Sequence, residues 1–359
     1  MSAATLLFPP RPRGLKGRAT ELTVLARTIE QTKPARLALV GAGGSGKSML
    51  AAALAYRLPM PRDWFRIGAW DYRTLLEMLA LRWGTTRDRR AIEGALRRFL
   101  AREERLVVLD NHEDDAATAR LLDTLAGTKA TFLVTARRCL LAGVLIFPVT
   151  APLVTAGKTA FPRVAALTRT LRWNPLALDI ADAIVGSRAV SVAALARFLD
   201  AQGIGRVRVI DHEDDLPEVS LLVDWAWERL PAASRRVLAV LAHAFGDHVD
   251  ARSLATLADC DEDAIAPLER WHLVQESMPR RFALHAVVRY ALQKRTTADA
   301  ARTFVYYMDL LENEPERIDA EQTHLFAAMD HAHRTSDMHG MLRVERLLSR
   351  LEAGPSRGR

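Results

Sequence analysis

The stretch RLALVGAGGSGKSMLAAALAYRL, Arg36–Leu58, decides how the chain is read. Arg36 to Val40 form a largely apolar run of strand length, a glycine-rich turn follows, and an alanine- and leucine-rich segment of helical character closes the stretch. Within it GAGGSGKS, Gly41–Ser48, satisfies the pattern GxxxxGK[ST] in full, in the strand-to-helix setting that the pattern requires. Glycines let the backbone curl with its amide hydrogens pointing inward, and a helix starting at Lys47 adds the positive end of its dipole. The result is a nest for a diphosphate. The candidate nucleotide ligands are therefore Gly41, Gly43, Gly44, Ser45, Gly46, Lys47, Ser48 and Met49. Lys47 is expected to reach the β- and γ-phosphates, and the Ser48 hydroxyl to ligate Mg²⁺.

Outward from this loop, strand and helix patterns alternate. A strand-like stretch at Ile67–Trp70 precedes the helical pattern LLEMLALRWG, and a second helix, AIEGALRRFLAREE, leads into RLVVLDN. Leu106 to Leu109 are continuously apolar, as in a strand buried on both faces of a parallel sheet. A helix around Ala117–Leu125 follows, and then TFLVTARR as a fourth strand. The expected fold class is α/β, a parallel sheet flanked by helices. LVVLDN places Asp110 at its strand's end, where a second magnesium-side carboxylate belongs. Asn111 stands where many ATPases carry another acid. Glu113 is the candidate catalytic base, with an ordinary solvated loop carboxylate as the other reading. The TAR at the end of the fourth strand puts Arg137 at the carboxyl edge of the sheet, where ligands collect; a cation there can sense a γ-phosphate. Many strands also simply end in solvated arginines, so both readings stand. No NKxD-like string follows the later strands, which favours ATP over GTP.

Composition bounds the rest. At 359 residues, 49% hydrophobic and 26% charged, with mean hydropathy −0.02, the chain is expected to fold as two or three domains of a soluble protein. Cys139 and Cys260 show no CxxC or Cys/His spacing, so neither a disulfide framework nor a zinc site is indicated. The formal charge of +7 is spread along the chain, mostly as arginine, since only six basic residues are lysine; this is no nucleic-acid footprint. His243, His248, His331 and His333 form no metal array. With no long apolar run and no signal-like start, a cytoplasmic location without membrane contact is expected.

Past Thr150 the patterns turn helical: VAALTRTLRW, PLALDIADAIV and SVAALARFLDAQG, then LPEVSLLVDWAWERLP, ASRRVLAVLAHAF, SLATLADC and AIAPLERWHLV. Two short strand candidates, Leu273–Gln275 and Arg281–Leu284, suggest a winged-helix module after these helices. The expected organisation is a nucleotide-binding domain over 1–150, a helical subdomain over 151–205, a winged-helix-like subdomain over 206–296 and a helical segment over 297–359.

The order of these motifs resembles the STAND class of P-loop NTPases, the NB-ARC-like switches, over about residues 12–295. GLKGRATEL resembles the family's hydrophobic-Gly-Arg-Glu motif, with Gly17 and Arg18 matching, Lys16 where an apolar residue is usual, and Glu21 as the acid. LVVLDN is similar to its Walker B strand, and TAR to its sensor strand ending in Thr-Ser-Arg. WNPLAL resembles GLPLAL, with Pro175 matching and Asn174 departing, and FALHAVVRY resembles Met-His-Asp, with His285 matching and Ala286 in place of the aspartate. The resemblance implies that Arg18 and Arg137 lie near the nucleotide, that Pro175 packs on its base and that His285 touches the β-phosphate of ADP. It further implies an ATP/ADP switch with slow Mg²⁺-dependent hydrolysis, domain rearrangement, and output through a protein partner or self-association. The C-terminal helices resemble the opening of a tetratricopeptide array. Two alternatives from other classes are a DNA-binding regulator and a small-molecule kinase. The first needs a basic recognition helix, whereas AIAPLERWHLV offers Arg270 beside Glu262, Asp263 and Glu269. The second needs an acceptor site, and no constellation in the sequence supplies one.

Overall fold

The computed structural model describes residues 9, 11–12, 15, 17–68, 70–86, 88–150, 161–204, 216–246, 248–297 and 299–353, with side chains to 350. Lys16, and the boundaries expected just after 150 and at 205–206, lie outside these residues. The chain forms two compact units, residues 7–152 and 153–349.

The first unit runs α1 (Ala19–Thr32), β1 (Arg36–Val40), α2 (Lys47–Arg57), β2 (Arg62–Arg66), α3 (Tyr72–Arg82), α4 (Ile92–Leu100), β3 (Arg105–His112), α5 (Asp115–Thr124), β4 (Ala130–Ala136) and β5 (Leu145–Pro148). Its five strands are parallel in the order β2-β3-β4-β1-β5. Alternate residues of the buried strands feed opposite faces, which is why these segments read as continuous apolar runs. Leu37 and Leu39 of β1 pack with Leu25, Ile29, Leu50 and Leu54 of α1 and α2 on one face. Ala38, Val107, Phe132 and Val134 pack with Leu75, Leu79, Leu96 and Leu121 of α3, α4 and α5 on the other. A parallel sheet between two helical layers is the P-loop NTPase architecture, and it puts the loop after β1 and the ends of β3 and β4 at one edge of the sheet.

Both sheet edges differ from the sequence expectation. The second strand is Arg62–Arg66 rather than Ile67–Trp70. Its residues RDWFR look polar because β2 is an edge strand, and its inward Asp63 is held by Arg105 at 2.6 Å and by the Trp83 indole at 3.0 Å. The opposite edge is β5, a strand beyond the four expected, four residues long and largely exposed.

The second unit contains α6 (Pro175–Gly186), α7 (Val192–Ala201), α8 (Pro217–Trp227), α9 (Ala232–Ala242), β6 (Val249–Asp250), α10 (Ala251–Ala258), α11 (Ala266–Arg270), β7 (Gln275–Met278), β8 (Arg281–Ala283), α12 (Ala286–Gln293), α13 (Ala300–Asn313), α14 (Gln322–Arg334) and α15 (Met338–Ala353). Its three strands form an antiparallel sheet in the order β6-β8-β7, one strand more than the hairpin expected. Trp225, Leu238, Leu254, Leu268 and Val287 belong to one core shared by α8 to α12. The helix expected over VAALTRTLRW is instead a 3₁₀ turn, Pro162–Leu167, followed by turns in which Arg172 and Trp173 adopt φ of 51° and 58°. Two consecutive left-handed residues end any helix there.

A buried charge network joins the small sheet to the helices that follow it. The Arg281 guanidinium donates to His248 Nδ1 at 2.9 Å and to Glu321 Oε2 at 2.6 Å. Arg317 donates to Asp250 Oδ2 at 2.6 Å and to Glu321 Oε1 at 3.2 Å. His324 Nδ1 lies 3.1 Å from Glu321 Oε2, and its ring stacks on Tyr307 with centroids 4.0 Å apart.

Candidate nucleotide-binding site

The loop after β1 is shaped by its glycines. Gly44 and Gly46 have φ of 74° and 88°, left-handed conformations that a side chain strongly disfavours. Gly41 is needed for space: a Cβ there would lie 2.2 Å from the Val149 carbonyl oxygen, which is backbone and cannot swing aside. Gly41→Ala is therefore expected to lower stability by about 1–3 kcal/mol and to impair ADP binding together. Thermal unfolding and an ADP titration check this; a variant unchanged in both would show that the loop is not so confined.

Two features of the loop suit an anion. α2 begins at Lys47 behind Gly46 with no side-chain cap, so its first amides point at the loop. The Ser45 hydroxyl is buried and makes no hydrogen bond among the described residues. A phosphate oxygen would satisfy it. The Lys47 ammonium donates to the carbonyls of Gly41 and Ala42, both at 2.8 Å, so the cation is folded over the mouth of its own loop. Met49, the third residue of α2, is 47% exposed.

Beside the loop, Asp110 at the end of β3 is buried and accepts two hydroxyls. Ser48 Oγ donates to its Oδ1 at 2.7 Å, and Thr135 Oγ1 at the end of β4 donates to the same oxygen at 2.6 Å. Thr135 also accepts the Asn111 amide at 3.0 Å. Asn111 has φ 60° and sits at a bulge, where the β3–β4 register slips between Leu109 and His112. Bulges of this kind re-aim the end of a strand. The hydroxyl and carboxylate oxygens of Ser48 and Asp110 are the hard donors that Mg²⁺ takes, so these residues fit the ion. Thr135 is the member of the cluster that sequence reasoning left unassigned. The available signal was a threonine near the end of a strand that reads as buried, because such a group must find a partner; Thr131 earlier in the same strand shows that this signal does not by itself mark a site.

The other residues named from sequence fall into place unevenly. Arg18 is 4% exposed and braces the loop from behind, donating to the Ser45 carbonyl at 2.5 Å and the Thr150 carbonyl at 2.7 Å, and pairing with Glu21 at 2.8 Å. Glu113 follows the bulge; its carboxylate accepts the Asn111 side-chain amide at 2.9 Å. Arg137 is half-buried immediately after β4. In the second unit, Pro175 is the first residue of α6, and Asn174 is its N-cap, accepting the Ala177 amide at 3.1 Å. That capping bond accounts for an asparagine at this position. His285 caps α12, its Nδ1 accepting the Val287 amide at 3.3 Å, and Ala286 begins that helix.

No known family profile and no curated protein sequence matches the chain. Among solved structures it is similar to the Signal Transduction ATPase with Numerous Domains (STAND) protein with a tetratricopeptide repeat sensor from Pyrococcus horikoshii, at 15% identity and TM-score 0.59. That alignment covers 96% of this chain and 54% of the other, so the chain spans about half the length of that protein. The Aeropyrum pernix ORC1 protein in complex with DNA matches at 17% identity over 82% of this chain and 98% of the other, with a TM-score of 0.37. The fold and the loop together define a P-loop NTPase fold.

Proposed function

We propose that the chain is an ATP/ADP-binding switch of the STAND type, in which the bound nucleotide sets the arrangement or assembly of the protein. The observation that carries this reading is the convergence of the loop Gly41–Ser48, its buried Ser45 hydroxyl and the Ser48–Asp110–Thr135 cluster at one sheet edge. In this reading the loop amides and Lys47 hold the phosphates, Ser48 and Asp110 hold Mg²⁺, and Arg137 meets the γ-phosphate. Bound Mg²⁺ supplies charge neutralisation and orientation of the phosphate oxygens. Pro175 and His285 are assigned to the nucleotide's base and β-phosphate by resemblance. Differential contact with ADP and ATP is what shifts such a switch. Asn111 in place of a second acid, with Glu113 held by it, suits slow turnover that acts as a timer.

Two features of one segment support a protein partner or self-association over DNA as the output. α11, the segment that a winged-helix reading would put in a groove, is five residues long, and its single Arg270 stands in a stretch of sequence with Glu262, Asp263 and Glu269. Phosphate backbones repel such a surface. The test is the oligomeric state with Mg²⁺ and either ADP or a non-hydrolysable ATP analogue, in wild type and in Lys47→Ala. A change of mass or shape with the ATP analogue that Lys47→Ala abolishes supports the switch. Rapid turnover stimulated by a small acceptor, with no change of state, would replace it with a kinase.

A further inference from the structure

The turn that carries Arg137 is held at both ends by residues at the end of β3 and the start of α5. At the near end, Thr135 is fixed between the Asp110 carboxylate and the Asn111 amide. At the far end, the Leu140 amide donates to Asp115 Oδ1 at 3.2 Å. The same Asp115 oxygen lies 2.8 Å from His112 Nε2, and His112 Nδ1 lies 3.0 Å from Thr118 Oγ1. His112 and Thr118 are both buried, so this chain of bonds has one geometry to adopt. Because β3 pairs with β4 again at His112 and Ala136, the imidazole starts from a fixed place in the sheet.

Packing holds the residues on either side of Leu140, since Leu141 lies in the core and Cys139 packs against it, but not the Leu140 side chain itself. Leu140 is 82% exposed. Between these two anchors the Leu140 amide is tied to the start of α5 by its bond to Asp115. That carboxylate is well prepared for the task. It stands in the first turn of α5, where the helix dipole favours negative charge. Burial works to raise its pKa, but the bonds from His112 and the Leu140 amide, with Arg138 nearby, outweigh that and hold it below the usual range.

We propose that Asp115, oriented by His112 and Thr118, is a positioning residue that fixes the turn 137–140 and so sets the preference of the site for nucleoside triphosphate over diphosphate. The proposal rests on the reading of Arg137 as the group that meets the γ-phosphate. A loosened turn leaves the diphosphate contacts of the loop untouched and withdraws the one contact reserved for the third phosphate.

The test is a calorimetric titration with Mg²⁺ and either ADP or a non-hydrolysable ATP analogue, on wild type, Asp115→Ala, Arg137→Ala and the double variant. Asp115→Ala is expected to weaken the ATP analogue about tenfold while ADP affinity stays within about threefold. The double variant is expected to be no worse than Arg137→Ala, because the two residues act through one contact. Asp115→Asn, which keeps an oxygen for the Leu140 amide, is expected to recover most of the preference. If Asp115→Ala does not fold, Thr118→Val carries the same readout, with a drop of about threefold expected from the freed imidazole. An unchanged ATP-to-ADP ratio in Asp115→Ala, or in Thr118→Val in its place, while Arg137→Ala lowers it overturns the positioning role alone. An unchanged ratio in Arg137→Ala overturns the sensor reading and this proposal with it.

Discussion

Asp110→Ala is expected to abolish the Mg²⁺-dependent part of ATP affinity, a loss of about 100-fold measured by titrating ATP with Mg²⁺ and again with a chelator. The argument is local. Asp110 is the buried carboxylate beside the loop, and its Oδ1 already gathers the hydroxyls of Ser48 and Thr135. A bound divalent ion in such a site contributes several kcal/mol of charge stabilisation, which a neutral side chain cannot sustain. Asp110→Asn separates charge from shape: it can still accept from both hydroxyls, yet it is expected to lose most of the same increment. A variant whose ATP affinity still rises with Mg²⁺ would remove Asp110 from the metal site. Glu113→Gln makes the useful contrast, since it is expected to leave affinity intact and to slow only hydrolysis. Unchanged hydrolysis in that variant would return Glu113 to the solvated loop reading.

The second large effect is on stability. Glu321→Gln is expected to destabilise the unit 153–349 by about 3–5 kcal/mol, because it leaves Arg281 buried without its charged partner, while Arg317 keeps Asp250. Burial alone would raise the Glu321 carboxyl, but His324 beside it and the Arg281 guanidinium hold it far below the ordinary range. His248 is displaced in the same sense. Burial, with Arg281 against it, lowers its pKa to about 3 from an ordinary 6.5. Between those two values the unfolded chain binds a proton that the folded chain refuses, so stability falls as pH drops. The slope approaches 1.4 kcal/mol per pH unit from this one group. Glu321 adds to the loss below its unfolded value near 4.5, where the unfolded carboxyl protonates first. Glu218, whose carboxyl is raised by burial, works in the opposite sense, so a Glu218→Gln background is expected to show a steeper acid slope. Thermal unfolding from pH 7 to 5 checks the prediction. A midpoint that does not fall over that range would mean that His248 is protonated within the fold.

What the sequence made legible was whatever is encoded in contiguous residues. The loop Gly41–Ser48 carries its strand and helix with it, and Asp110 announces itself as a carboxylate after four buried apolar residues. The sheet interior was readable for the same reason, since β1, β3 and β4 are buried on both faces. Its edges were not. β2 spells RDWFR because only alternate residues face inward, and one of these is an aspartate that needs Arg105, forty-odd residues away. Helical composition also misled at VAALTRTLRW, where the left-handed pair Arg172 and Trp173 breaks the pattern. The part of Thr135 beside Ser48 and Asp110, and the network around Glu321, were hidden more deeply. Each depends on segments distant in the chain, and a buried polar side chain declares only that it needs a partner, not which one it finds.

The central claim is that the curl from Gly41 to Ser48 grips a nucleotide's phosphates, and a calorimetric titration of ADP with Mg²⁺ into wild type and Lys47→Ala tests it most directly. Wild-type protein is expected to bind one ADP per chain, and Lys47→Ala to bind at least about 100-fold more weakly while unfolding at an unchanged temperature. No heat of binding in folded wild-type protein freed of retained nucleotide, or equal affinity in the variant, would contradict the account.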